Sequence, residues 1–554
     1  MGPPMTNSIL QLVRSLAAFA VGIHLAGALC AQKEDLPEEV KVMTWNIWHG
    51  GREDGEKIGP KRVIDVIEDS GADIVAMQET YGSGELIAKK LGFHFQPRGT
   101  NVSIHSRFAL VEDISVHAKF QCVGALVELP DQSHLAFYSI WQPYSGEIWA
   151  EGTRDLSKPE TMLAACKASH ESLQTMWSAI NKRLSAAKYD DVPIIIAGDF
   201  NSMSHIDYGE IGWDQYGAVI NWPTSTVLTQ AGFTDSYRSC NPLIDRAADS
   251  TWTPRFPKQD QDRIDFIYHR SARSRSSLVA TTESVVIREH KKRFPSDHAA
   301  LVSTLQVTQQ DPKQENTAIP LQVVSYNIKH GRGMDGQVNL ERTAEVLRKL
   351  NPDFVGLQEV DLQVARSGKT NQANELGAML NMHPIFGSFM DYQGGRYGMA
   401  ILSRHPVVRV NSLRLPNGNE PRVALIAEVR LPNDTTMLIV NVHFDWVDDD
   451  GFRFAQAKTL ATHLQAQPHP YVLLGDFNDG PNSRTLKLFE KIAKRTPKPA
   501  ATRLTFPSTK PQQEIDFIFC SPKKSWQVSR TAVIKETVAS DHRPVSADLI
   551  LRTR

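Results

Sequence analysis

Five short segments of this 554-residue chain occur twice, in the same order. Residues 42–50 recur as 323–331, 72–79 as 352–359, 198–201 as 475–478, 264–267 as 515–518, and 296–298 as 540–542. The spacing recurs as well: Asn46 to Glu79 is 33 residues and Asn327 to Glu359 is 32, while Glu79 to Asp199 is 120 and Glu359 to Asp476 is 117. Such self-similarity means two copies of one folding unit, and a chain of this length exceeds what one hydrophobic core organises. The copies differ mainly before the fourth segment, 66 residues from Asp199 to Asp265 against 40 from Asp476 to Asp516, so the first carries an insertion there. Trp213, Tyr216 and Trp222 fall in it. An aromatic loop of that kind either reaches a substrate or packs on itself at the surface.

The copies divide at 308–319, where 309–316 is polar and lacks apolar periodicity. The first is therefore expected over 38–307 and the second over 320–554. Ahead of them, Arg14 precedes an apolar run over 16–29 that is too short to span a bilayer and gives way to the polar Gln32, Lys33, Glu34 and Asp35. That pattern reads as a secretory signal peptide over 1–31, with a secreted or periplasmic mature protein and no transmembrane segment. Five cysteines, Cys30 among them in the signal, show no framework spacing, so Cys122, Cys166, Cys240 and Cys520 are expected to act as small buried apolar residues. Hydrophobic residues at 41% and charged residues at 22% suit a soluble globular protein. A net charge of -1 lacks the basic surplus with which duplex-binding proteins neutralise phosphates.

Short apolar, partly β-branched runs at 40–45, 74–77, 194–197, 438–442 and 471–474 predict buried strands. Apolar residues at helical spacing over 61–69 and 339–350 predict helices. Each recurring Asn, Glu or Asp stands at or just after the end of an apolar run, which brings these groups to one rim of a packed sheet.

Singly, an Asp after a strand is a turn or cap residue more often than a ligand. Grouped, the Asn, Glu, several Asp and His form an oxygen-dominated set suited to a hard cation, Mg²⁺ or Mn²⁺. On a phosphate ester such an ion neutralises non-bridging oxygens and stabilises the charge that develops on the leaving oxygen. Asp476 and Asn478 can then position water and the phosphoryl oxygen, while His542, oriented by Asp516, handles protons or stabilises charge. Zinc chemistry through His49 or His330 lacks the paired histidine spacing it needs.

Taken together, the five segments resemble the signature of the endonuclease/exonuclease/phosphatase superfamily, and the resemblance covers both copies. It implies an α/β protein of two tandem four-layered sandwich domains, deoxyribonuclease I-like, with the activity of a metal-dependent phosphoric ester hydrolase. In the second copy it implies metal binding by Asn327, Glu359 and Asp541, water activation by Asp476, phosphate positioning by Asn478, an Asp516–His542 pair, and a further histidine at His443. In the first copy it implies metal binding by Asn46, Glu79 and Asp297, with catalytic roles for Asp199, Asn201, Asp265 and His298.

One position departs from the pattern. Aligning 136–141 with 438–443 sets Trp141 against His443, and an indole cannot accept or relay a proton as imidazole does. Turnover is expected mainly from the second copy, with weakened or altered catalysis in the first; the alternative of another class is that the first copy is a catalytically weakened phosphate- or partner-binding module. Fold resemblance leaves the substrate open. The missing basic surplus favours small or lipid-linked phosphate mono- or diesters, with a secreted nuclease as the alternative. Arg396 and Arg422, in loops of the second copy, are candidate substrate-binding residues that could meet phosphate oxygens bidentately, or else ordinary solvated arginines.

Overall fold

The computed structural model describes residues 38–309 and 318–553. The expected signal peptide, and residues 310–317 of the expected linker, lie outside the described residues.

Each copy contains two six-stranded sheets. In the second copy one sheet runs, edge to edge, through His383–Tyr392, Gly395–Ser403, Phe354–Leu362, Ala318–Asn327, Val545–Arg552 and Trp526–Val533. The other runs through Val407–Arg414, Val423–Arg430, Thr436–His443, Tyr471–Asp476, Asp516–Ser521 and Lys494–Arg495. The first copy repeats both orders around the central strands Glu38–Asn46 with Ile74–Gln78, and His134–Trp141 with Ile194–Asp199.

In every sheet the central pair is parallel and its neighbours are antiparallel. A parallel pair ends both strands at the same rim. Asn327 is therefore paired with Gln358, next to Glu359, and His443 is paired with Asp476. The first copy sets Asn46 beside Gln78 and Trp141 beside Asp199 in the same registers.

Alternation along the strands divides the core. Val42, Ile74, Phe137 and Ile195 pack between the two sheets of the first copy. Their neighbours Met43, Val75 and Met77 face Val63 and Ile67 of the helix Ile58–Ser70, while Tyr138 and Ile196 face Leu173 and Ile180 of the helix Lys167–Arg183. Helix, sheet, sheet and helix make four layers. Strands covered on both faces read as continuous apolar runs, which is why alternation is faint in the sequence.

The insertion packs partly on itself, Tyr208 against Tyr216 at 4.2 Å and Trp222 at 5.4 Å between ring centroids, but it is not a free surface loop and does not reach a substrate cavity. Trp222 is fully buried, Tyr216 nearly so, and none of the three aromatics lines the cavities at the recurring acids. The insertion instead docks on the second copy: Glu210 accepts a hydrogen bond from the Ser388 N–H, Asn371 Nδ2 donates to the Ile211 carbonyl at 3.1 Å, and the Arg396 guanidinium lies 4.5 Å from the centre of the Trp213 ring. It covers the edge strand His383–Tyr392, and one hydrophobic cluster runs from Tyr216 and Trp222 into Val324 and Phe386.

Cys122, Cys166, Cys240 and Cys520 are free thiols, and all but Cys240 are buried. Among the described residues no helix is long and apolar enough to cross a membrane.

Candidate active sites

The two rims place the recurring residues in the same arrangement twice. In the second copy Asn327 Nδ2 donates to Glu359 Oε1 at 3.0 Å and to Asp476 Oδ2 at 3.2 Å, tying the two sheets together at their ends. Asn478 directs its backbone N–H to Asp476 Oδ1 at 2.9 Å and its side-chain amide to the Phe444 carbonyl at 3.0 Å. His542 Nδ1 meets Asp516 Oδ2 at 3.1 Å, leaving Nε2 3.6 Å from Asp476 Oδ2. His443 Nε2 approaches that same oxygen, also at 3.6 Å.

The first copy repeats the frame. Asn46 Nδ2 donates to Glu79 Oε1 at 3.1 Å and to Asp199 Oδ2 at 3.2 Å, the Asn201 N–H reaches Asp199 Oδ1 at 2.9 Å, and His298 Nδ1 meets Asp265 Oδ2 at 2.9 Å. Glu79 and Glu359 both hold left-handed backbone, φ 53° and 57°, as do Asn201 and Asn478, φ 44° and 49°. Such conformations are costly for residues other than glycine and persist where the surroundings fix them, typically at functional sites. The conformation of Glu359 coincides with a register shift between Gln358 and Val360, a bulge that re-aims its carboxylate.

Profiles of the Endonuclease/Exonuclease/phosphatase family match residues 43–298 and again 324–542. The chain belongs to that family. Its members are hydrolases of phosphate esters, and the two tandem domains carry the family fold. Among curated proteins, the Caenorhabditis elegans "Uncharacterized protein F14F9.5" is 26% identical over 286 residues, 47% of this chain and 90% of its own length. Among solved structures, an endonuclease/exonuclease/phosphatase from Beutenbergia cavernae DSM 12333 is 23% identical with a TM-score of 0.36, covering 42% of this chain and 72% of its own. A mannosyl-6-phosphatase from Bacteroides thetaiotaomicron VPI-5482 is 21% identical with a TM-score of 0.36, covering 41% of this chain and 99% of its own.

Within this endonuclease/exonuclease/phosphatase frame the electrostatics follow from burial and crowding. Burial pushes the Asp476 carboxyl upward, and Asp516 adds to the effect, so it titrates well above an ordinary aspartate. Burial opposes the charged form of His542, but Asp516 and Asp476 outweigh it and hold the ring cationic. His443 goes the other way: burial, with Arg422 and His542 nearby, keeps it neutral. Burial also raises Glu359. In the first copy burial pushes Asp297 up to about 6, helped by Glu79. The corresponding Asp541 instead has Lys329 Nζ 2.7 Å away.

Glu359, His443, Asp476, Asn478, Asp541 and His542 line one cavity of about 530 Å³, with Asn327 tied to Glu359 and Asp476, and Asp516 held against His542. Arg422 lines it too, though not as a solvated loop residue: it is 1% exposed, ion-paired to Glu420 at 2.9 Å, and its Nε and Nη1 have no hydrogen-bond partner in the protein. Arg396, the other candidate for meeting substrate, is absent from this lining, and its guanidinium lies over the Trp213 ring of the seam. In the first copy Asn46, Glu79, Asp199, Asn201, Asp297 and His298 line a smaller cavity of about 220 Å³ with Trp141, while Asp265 is held against His298.

Sequence reasoning missed Lys329, Ser540 and Phe506. Lys329 is the one unmatched position between Asn327 and Gly331, and Ser540 is the Ser of the recurring Ser-Asp-His, its Oγ donating to the Asn327 carbonyl at 2.7 Å. Phe506, 4.8 Å from the His542 ring, lies outside every recurring segment. His330 is buried and His49 pairs with Glu53 at 2.7 Å.

Proposed function

We propose that the second copy is a divalent-metal-dependent phosphoesterase and supplies most of the protein's turnover. The observation that carries this reading is the convergence on Asp476 Oδ2 of Asn327 Nδ2 at 3.2 Å and of His443 Nε2 and His542 Nε2, each at 3.6 Å. A buried carboxylate with its basicity raised by its surroundings, beside a cationic imidazole, is the equipment for taking a proton from water while charge on a phosphoryl oxygen is stabilised.

The donor set fits a hard cation. Asp476, Asp516 and His542 bring ligand atoms within 4.8 Å of one another, as do Asp199, Asp265 and His298. Each His Nδ1 is already committed to Asp516 or Asp265, so the oxygens of Glu359, Asp541 and Asn327, or of Glu79, Asp297 and Asn46, are the better holders of Mg²⁺ or Mn²⁺. When bound, such an ion neutralises phosphate charge and lowers the basicity of the leaving oxygen.

The chain's own residues do the rest. Asp476, fixed by the Asn478 N–H and Asn327, accepts a proton from the attacking water. His542, held protonated by Asp516, donates from Nε2 to a phosphoryl oxygen. His443, neutral, offers a further donor or acceptor beside it. Arg422 lines the cavity with its guanidinium Nε and Nη1 unpartnered in the protein, which suits it to pair with an anion there.

Small or lipid-linked phosphate esters are the favoured substrates. One buried arginine and an overall charge of -1 suit a compact anion better than a nucleic-acid backbone. The apolar run over 16–29 supports the reading of export, which N-terminal sequencing of protein recovered outside the cytoplasm tests. The activity is tested by p-nitrophenol release from p-nitrophenyl phosphate and from its diester with Mg²⁺, with chelator, and with Asp476→Ala. Undiminished release after exhaustive chelation would overturn the reading.

A further inference from the structure

The two sites share their acids, and three of the neighbouring positions at which they differ change the charge of the site. Lys329 donates its N–H to Asn327 Oδ1 at 3.1 Å, and Trp48 stands in the same relation to Asn46 at 3.0 Å. His443 is paired with Asp476, and Trp141 with Asp199. Two residues back from the paired Ala424 and Val442, Arg422 stands where Phe120 stands in the first copy, two residues back from the paired Cys122 and Ile140. Phe120 and Trp141 meet edge to face with centroids 5.5 Å apart. At each position a lysine, a histidine or an arginine of the second copy stands against an aromatic ring in the first.

The carboxylates do not differ. Glu79, Asp199 and Asp297 still line the first cavity. Trp48, Trp141, Trp149 and Trp252 line it as well, and among the described residues no lysine or arginine does. The Arg255 guanidinium already lies 5.3 Å from the centre of the Trp48 ring, so Trp141, Trp149 and Trp252 are the indoles left to a ligand. The imidazole of His298 is held between Asp265 and Asp199, so it compensates acids already present.

A phosphate entering here meets carboxylates without the guanidinium and ammonium groups of the other copy. Aromatic faces offer little to a hard, strongly hydrated ion, but their quadrupoles attract a weakly hydrated organic cation. We propose that, where no divalent ion holds its carboxylates, the first copy is a receptor for an organic cation, a quaternary or trimethylated ammonium group, with the indoles as walls and the carboxylates as counter-charge, so that Mg²⁺ competes with it. A cavity of about 220 Å³ accommodates a group of that size. This goes beyond hydrolysis in the second copy and does not depend on it.

The test is calorimetric titration of the full chain, with and without Mg²⁺, using tetramethylammonium, choline, the uncharged carbon isostere of choline (3,3-dimethylbutanol), and inorganic phosphate. Saturable binding of both cations is expected without Mg²⁺ and weaker binding with it, with the neutral isostere at least roughly tenfold weaker because cation–π attraction is lost. Trp141→Ala should weaken choline at least roughly tenfold with its thermal transition retained. Should that variant fail to fold, Trp141→His, which places the second copy's side chain at the same register, should also weaken choline. Equal binding of choline and its isostere would overturn the proposal in favour of a merely apolar pocket. So would choline binding untouched by either variant, or no saturable heat for the cations without Mg²⁺ up to roughly 10 mM.

Discussion

His443 Nε2 lies 3.6 Å from Asp476 Oδ2, across the last pair of a parallel ladder whose counterpart in the first copy joins Trp141 to Asp199. The backbone is the same in both places, so the difference in chemistry rests on side chains alone. An imidazole beside the carboxylate can share hydrogen bonds with a phosphate, whereas an indole at that position presents an apolar face and a single N–H.

Asp476→Ala should therefore abolish most phosphate-ester turnover, by about 10² or more, whereas Asp199→Ala should change it little. Steady-state rates of the two purified variants decide the matter. The reverse result, loss with Asp199→Ala alone, would assign turnover to the first copy.

Much of this site was legible in the sequence, because the ends of parallel strands must share a rim. The Asn, Glu and Asp after the apolar runs meet there, and Trp141 stands opposite His443 as the alignment requires. The aromatic insertion was not legible. Trp213, Tyr216 and Trp222 are apolar enough to suit a substrate loop, a self-packed loop or a seam, and only the position of the second copy decides among these. Arg396 and Arg422 are likewise alike in the sequence. One is drawn over Trp213 of the other copy and the other is buried beside His443 by a strand register, and neither long-range relation leaves a local signal.

Below the seam, Asp207 accepts from Arg238 Nε at 2.7 Å and from Arg263 Nε at 2.9 Å, all three side chains being buried. Burial raises the carboxyl, but the two guanidinium groups outweigh it and hold it below the ordinary range. Asp207→Ala leaves two buried cations short of an anion and should cost about 3–5 kcal/mol. Denaturant unfolding measures this, and a loss under about 1 kcal/mol would show that Asp235 and Asp249 suffice as partners.

Activity against pH should rise on a limb set by Asp476, which must lose its proton to act as base, and fall on a limb set by His542, which must keep one. Burial displaces the first limb above the ordinary aspartate range, and Asp516 with Asp476 displaces the second above that of histidine. Raising Mg²⁺ from limiting to saturating favours the deprotonated carboxylate and, at Asp541, offsets part of the charge that raises His542, so both limbs should move to lower pH. A profile whose acid limb is indifferent to Mg²⁺ concentration would mean that an ion held by Glu359, Asp541 and Asn327 does not act on Asp476.

His542→Ala and Asp516→Asn should both lose activity, but unequally. His542 directs Nε2 toward the place of the phosphoryl group, so its removal should cost about 10² to 10⁴ in rate. Asp516 acts through the ring, accepting at 3.1 Å from Nδ1 and favouring the cationic form, so the amide leaves an imidazole present but with a lowered pKa. In Asp516→Asn the alkaline limb should accordingly move to lower pH, a shift that a purely structural carboxylate would not cause. Because the two act as one unit, Asp516→Asn combined with His542→Ala should be little worse than His542→Ala alone. Losses that multiply in full, with metal affinity unchanged, would mean that Asp516 serves the strand end Asp516–Ser521 and not the histidine.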